Sequence, residues 1–226
     1  MFFGWFRRKK KSENKKVSQY SIKNNWMYVD ERKIEEIKSD SRKKYSSGNN
    51  ICDYIVYHFT VSTTASSAHN TFRRPDTNVS WHITIDRSGN LYQLYDFRKR
   101  TWHAGRSSWT KPSGQFISGL NKYAIGIEMI NAGPLSYDGS QFKTVYNQVI
   151  PESDVFIDEN GKAWHSYTEA QIATALAITP VLCKKYKCVD VLDHEMISPG
   201  RKIDAGPAFT ETLEKMRFHL RSGHYY

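Results

Sequence analysis

Cysteine is scarce in this 226-residue chain: Cys52, Cys183 and Cys188 are the whole set. So small and odd a number excludes a disulfide-built scaffold. Cys183 and Cys188 are five positions apart, a poor spacing for sharing one helix face, and all three read as free thiols. Long apolar runs are also missing, and nothing approaches the ~20 residues that a membrane-spanning helix needs. The start, MFFGWFRRKKK, lacks the order of a secretory leader. Its apolar stretch is short, precedes the charges, and is followed by no small-residue cleavage site. The expectation is a protein cytoplasmic at synthesis, unless something else releases it. No internal repeat or low-complexity tract stands out beyond a basic N-terminal segment.

What is present is a soluble-type composition and an uneven charge. The net charge is +10. Residues 1–50 hold 14 Lys/Arg against 6 Asp/Glu, whereas residues 51–226 hold 19 against 17. The excess therefore belongs to the N-terminal segment. Such an arm suits a polyanion: an anionic membrane surface, an acidic wall polymer or a nucleic acid. The plain alternative is a solvated arm that aids solubility. The length suits one domain plus a tail, or at most two small domains.

Hydrophobic patterning divides the chain near Ser46–Asn50, after the polar linker SDSRKKYSSGNN. Residues 1–50 are expected to be a partly disordered arm with one short helical patch at Asp30–Lys38, where Ile34 and Ile37 recur at helical spacing. Residues 51–226 are expected to form the main domain. There, DYIVYHF at Asp53–Phe59 and AIGIEMI at Ala124–Ile130 read as buried strands. Ala65–Arg73 reads as a helix, and RSGN between Trp81–Asp86 and Leu91–Tyr95 as a hairpin turn. Thr168 with Gln171 forms a capping-box pattern, opening a helix that directs Ile172, Leu176 and Leu182 inward. Val189–Leu192 is a short strand and Ala208–Leu220 a terminal helix. Residues 134–167 lack sustained periodicity and read as inserted loops. The order predicts an α/β domain with a mixed sheet and helices on its faces.

Two strand ends carry chemistry. His58 closes the first buried strand, and His194 follows VDVL. Reactive groups gather at strand ends in α/β sheets. Asp204 lies ten residues after His194, in a Gly- and Pro-containing loop able to fold back. Two imidazoles and a carboxylate match an open zinc site with a free position for water. On spacing alone this triplet is one of many that eight histidines permit.

The segments YHFT (57–60), SWHITIDRSGNLYQLY (80–95), WHAGRSSW (102–109), AIGIEMIN (124–131) and DHEMISPGRKIDAGPAF (193–209) narrow the choice. In this order they resemble the type-2 N-acetylmuramoyl-L-alanine amidases, a superfamily that includes AmpD-type enzymes, phage lysozyme-like amidases and peptidoglycan recognition proteins. The resemblance covers roughly residues 51–217. It implies one amidase domain with a mixed central sheet flanked by helices. It places Zn2+ ligands at His58, His194 and Asp204, and catalytic groups at Glu128 and Lys202. Trp81, His82 and His103 fall where the family lines its substrate groove, although relatives often carry Tyr at the position of Trp81. His165 falls outside this set and is expected at the surface or in a helix cap.

Amide hydrolysis needs an activated water, a stabilised oxyanion and a protonated leaving amine. Glu128 is placed to move the proton and Lys202 to face the oxyanion, with their division of labour open. The structural alternatives are a buried carboxylate paired with a lysine, and a lysine paired with Asp204. The implied reaction is cleavage between N-acetylmuramic acid and L-alanine in peptidoglycan or muropeptide. The basic arm favours a phage-type endolysin acting on the wall after release. The alternatives are a cytoplasmic muropeptide-recycling amidase and a non-catalytic peptidoglycan-binding or regulatory module. Nucleic acid is not the expected partner.

Overall fold

The computed structural model describes residues 18–39 and 45–223. The basic chain start, residues 40–44 of the polar linker and residues 224–226 lie outside the described residues. Among the described residues, no helix is long and apolar enough to cross a membrane.

The centre is a six-stranded sheet. Its strands are β1 (Glu35–Glu36), β2 (Tyr54–Phe59), β3 (Ile83–Ile85), β4 (Leu91–Gln93), β5 (Ala124–Met129) and β6 (Asp190–Asp193), in spatial order β6-β2-β5-β3-β4-β1. β6, β2, β5 and β3 run parallel; β3 and β4 form the antiparallel hairpin; β1 pairs parallel to β4 at the edge. The mixed α/β sheet is as expected. The main helices are α1 (Ala65–Arg73), α2 (Glu169–Tyr186) and α4 (Thr210–Arg221), with a single turn, α3 (His194–Ile197), directly after β6.

Side-chain alternation on β2 and β5 sorts the two faces. Ile55, Tyr57, Ile125, Ile127 and Met129 point to the larger core, where Ala175, Ile178 and Leu182 of α2 and Leu213 and Met216 of α4 meet them. Tyr54, Val56, Ala124 and Leu192 point to the other face, against Ala104, Leu120 and Ile197. Continuing that alternation carries His58 and Glu128 onto this second face, where they are direct register partners on adjacent strands.

α2 opens with the full capping box, Thr168 accepting from Gln171 N and the Gln171 side chain accepting from Thr168 N. Its buried stripe runs through Gln171, Ala175, Ile178, Leu182 and Tyr186. Of the residues expected inward, Leu182 is buried, while Ile172 and Leu176 are partly buried against the same core.

Two expectations are corrected. Asp30–Lys38 is not helical: a meander of Tyr20–Lys23, Trp26–Val29 and Arg32–Lys33 leads into β1. Met27 and Ile37 are buried, and Gln93 ties the meander down by accepting from Met27 N at 2.8 Å and donating to the Asn25 carbonyl at 3.1 Å. Tertiary contacts override the helical spacing of Ile34 and Ile37, so this part of the expected arm packs on the domain. Residues 134–167 are not bare loops either. They form short pairings, Ser136–Tyr137 with Phe142–Lys143, Phe142–Lys143 with Val149–Ile150, and Val155–Ile157 with Ala163–His165. Strands of two or three residues are too short to show a period. All three cysteines are buried and free.

Candidate metal centre

His58, His194 and Asp204 converge from three elements. His58 ends β2, His194 begins α3 just past the neighbouring β6, and Asp204 arrives on the return loop. That loop is bound back to α3 by Glu195 N donating to the Asp204 carbonyl at 2.8 Å. The Asp193 carboxylate caps α3 through Met196 N at 2.9 Å, which fixes the turn on which His194 stands.

Asp204 Oδ2 lies 2.9 Å from Nδ1 of both His58 and His194, and the two Nδ1 atoms are 3.0 Å apart. Donor atoms around a tetrahedral zinc at about 2.0–2.1 Å are about 3.3 Å from one another. A set of two imidazole nitrogens and one carboxylate oxygen this close therefore fits such an ion with little adjustment. The charge states fit as well. Burial, then the neighbouring His194, pushes the His58 imidazole down to about 4, so it is neutral and able to ligate near pH 7. Burial opposes ionisation of Asp204, but the contacts with the His194 and His58 imidazoles outweigh it and hold the carboxyl well below its ordinary range.

The back side of each imidazole is also occupied. His194 Nε2 is 3.1 Å from the Ala104 carbonyl, and His58 Nε2 is 2.9 Å from His103 Nδ1. Arg201, which sequence reasoning passed over, fastens the two loops involved: its Nη2 donates to the carbonyls of Ala104 and Arg106 and to Ser198 Oγ. Only its place inside the RKID segment hinted at it.

Glu128 stands beside this cluster. Its Oε2 is buried without a hydrogen-bond partner among the described residues. Burial, reinforced by the Asp204 charge and partly offset by Lys202, pushes the carboxyl up to about 8. Perturbed carboxyls of this kind mark sites of chemistry. The cleft that contains it, about 400 Å³, is also lined by the three convergent residues, Lys202 and Trp102. It adjoins a second lobe of about 550 Å³ toward Asn78, Arg106 and Asn121.

The three groove residues expected from sequence part company. Trp81 borders the cleft but is buried, its indole N–H donating to Thr84 Oγ1 at 2.8 Å. His82 does not reach the cleft: it is fully buried, accepts from Gly126 N at 3.0 Å and reaches the Lys99 carbonyl at 2.9 Å. It lies on the face opposite Ile83 and Ile85, behind His103, with both ring nitrogens taken by backbone groups, so its groove role is withdrawn. His103 touches the cleft edge and His58 together. His165, expected at the surface, is buried and accepts from Ala132 N at 3.0 Å.

The model of the family described as N-acetylmuramoyl-L-alanine amidase matches residues 47–207. The 1,6-anhydro-N-acetylmuramyl-L-alanine amidase AmpD of Citrobacter freundii is 30% identical over 133 residues, 58% of this chain and 52% of that protein. The N-acetylmuramoyl-L-alanine amidase XlyA of Bacillus subtilis is 35% identical over 80 residues, 34% of this chain and 24% of that protein. The chain thus spans about half the length, or less, of these curated relatives. Among solved structures, an AmpD derivative superposes with a TM-score of 0.55 at 21% identity, covering 86% of this chain and 98% of that one. Escherichia coli AmiD, solved with anhydro-N-acetylmuramic acid-L-Ala-D-gamma-Glu-L-Lys, also gives 0.55 at 21% identity, covering 87% of this chain and 65% of that one. These likenesses show the fold. With most of the chain matched by the family model, this protein belongs to the N-acetylmuramoyl-L-alanine amidase family.

Proposed function

We propose that the chain is a zinc-dependent amidase that hydrolyses the bond between N-acetylmuramic acid and the L-alanine of a stem peptide. The observation that carries this reading is the convergence of His58, His194 and Asp204, whose ligand atoms lie within 4.8 Å of one another, at the end of a cleft shared with Glu128. A zinc ion held by these three residues would acidify a bound water and polarise the scissile carbonyl.

The protein's own groups supply the rest. The Glu128 carboxylate, unpaired and facing the cleft, takes a proton from the attacking water and returns it to the departing nitrogen of L-alanine. A carboxyl raised toward neutrality is suited to both halves of that transfer. The Lys202 ammonium borders the same cleft and favours negative charge as it develops on the carbonyl oxygen. The adjoining lobe, lined by Arg106, Arg201 and Lys202, is cationic and suits an anionic part of the substrate.

The relatives of AmpD type support a small anhydro-muropeptide as substrate. The endolysin reading, with contact to anionic membrane or wall polymer, rests on the basic residues at the chain start. One experiment separates them. Soluble anhydro-muropeptides and intact sacculi are digested in parallel, with and without a chelator, and the products are identified by mass spectrometry. Release of intact stem peptides only when zinc is available supports the amidase; the substrate that is turned over assigns the setting. Cleavage between sugars, or no release of stem peptides from either substrate, would reject it.

A further inference from the structure

We propose that His103 is a positioning residue for His58, accepting its Nε2–H so that the imidazole presents Nδ1 to the metal centre. This inference rests on the zinc reading above.

A neutral imidazole has one proton and two nitrogens, so the nitrogen that offers a lone pair is decided by what the other one donates to. Nδ1 of His58 faces Asp204 and His194, and its Nε2 faces His103 Nδ1 at 2.9 Å. Nδ1 is free to ligate only if Nε2 carries the proton and finds an acceptor. His103 is an acceptor at Nδ1 only if its own proton is on Nε2. That nitrogen lies 3.3 Å from the Ala124 carbonyl, which can only accept. The carbonyl therefore sets the direction of the whole chain: His58 donates to His103, and His103 donates to Ala124. His194 Nε2 faces the Ala104 carbonyl at 3.1 Å and the Arg201 guanidinium at 3.3 Å, so its own surroundings differ from those of His58.

The surrounding sequence makes room for the inserted ring. A Cβ on Gly126 would stand 2.5 Å from His103 Cγ, so only glycine admits the imidazole at that height on β5. Gly126 is in turn held by its N–H to His82 Nδ1, and the His103 backbone by Asn121 Oδ1 at 3.0 Å. His82 thus braces the glycine that His103 packs on. With both ring nitrogens engaged inside the protein, His103 has none to offer a substrate, which replaces the groove role expected from sequence.

The test uses the full chain with His103→Ala and His103→Gln. Glutamine can accept from His58 through its carbonyl and donate to Ala124 through its amide. Zinc affinity is measured by competition with a chromophoric chelator, and the His58 tautomer in metal-free protein by long-range 1H–15N correlation. His103→Ala is expected to lose about 10–100-fold in zinc affinity and to mix the His58 tautomers, with His103→Gln recovering most of both. KM for a muropeptide should stay unchanged in the zinc-loaded variants. Unchanged zinc affinity with a raised KM would return His103 to the substrate and overturn the proposal. So would a wild-type spectrum showing His58 protonated at Nδ1, a measurement that needs no variant to fold. Wild-type protein that binds no zinc would sink the zinc reading, while the tautomer would still decide the role of His103.

Discussion

Glu128 and His58 are direct register partners on adjacent parallel strands, so the unpaired carboxyl and the imidazole of the candidate metal centre project side by side from one end of the sheet. The pairing joins the two halves of the proposed chemistry through backbone hydrogen bonds alone, and loops need not be recruited to bring them together.

That carboxyl should be bad for stability and good for activity. Its folded-state value is raised from 4.5 to about 8, so the unfolded chain ionises first as pH rises. The unfolded state then holds fewer protons, and metal-free stability falls between about pH 4.5 and 8. Glu128→Gln is expected to flatten that fall, with a gain on the order of 1–3 kcal/mol at pH 8, while lowering kcat at least ~100-fold. Urea titrations across pH, beside turnover assays, check both signs. A variant no more stable than wild type at pH 8 would contradict the unpaired burial.

Zinc should stabilise the fold in proportion to occupancy. At a free concentration 100 times the Kd, the gain is about 2.7 kcal/mol, or a rise in Tm of roughly 5–11 °C for a domain of this size. His58→Ala, His194→Ala and Asp204→Ala should each abolish that rise in differential scanning fluorimetry. An undiminished rise in any of them would remove that residue from the ligand set.

The N-terminal meander should behave as part of the core. Met27 is fully buried among strands and helices. Met27→Ala is expected to cost about 2–5 kcal/mol, measured by chemical denaturation. A substitution in an independent arm would leave the midpoint where it was.

Asp190 offers a test of the strand that delivers His194. It is buried at 1% exposure and receives Arg217 through two bonds of 3.1 Å, with Arg221 at 3.2 Å. Asp190→Ala leaves Arg217 with only the exposed Glu214 carboxylate and should cost about 3–5 kcal/mol. A midpoint shift equivalent to less than about 1 kcal/mol would mean that α4 docks mainly through Leu213 and Met216.

Much of this was legible before any coordinates. β2, β5, β6, α1 and the capped α2 announced themselves through runs of β-branched and aromatic residues, strict spacing or a cap. The family motifs then located a convergent cluster that spacing alone did not single out. What escaped was long-range. The meander at residues 20–33 is held by Gln93, 66 positions away from Met27, and no local pattern carries that bond. The different surroundings of His82 and His103 were equally hidden, because both sit beside tryptophan in similar motifs and only long-range partners, Gly126 for one and His58 for the other, tell them apart.

The sheet ends in β1, just two residues long, and both are exposed glutamates. A border so short and so charged gives a passing strand little to pair with. Trimming the chain to the span shared with its family, from residue 47 onward, would remove that border and empty the space filled by Met27 and Ile37. The backbone of Leu91–Gln93 would then face solvent beside an apolar trough. A minimal fragment of this chain would carry the whole candidate metal centre and, a few strands away, an adhesive seam ready for self-association.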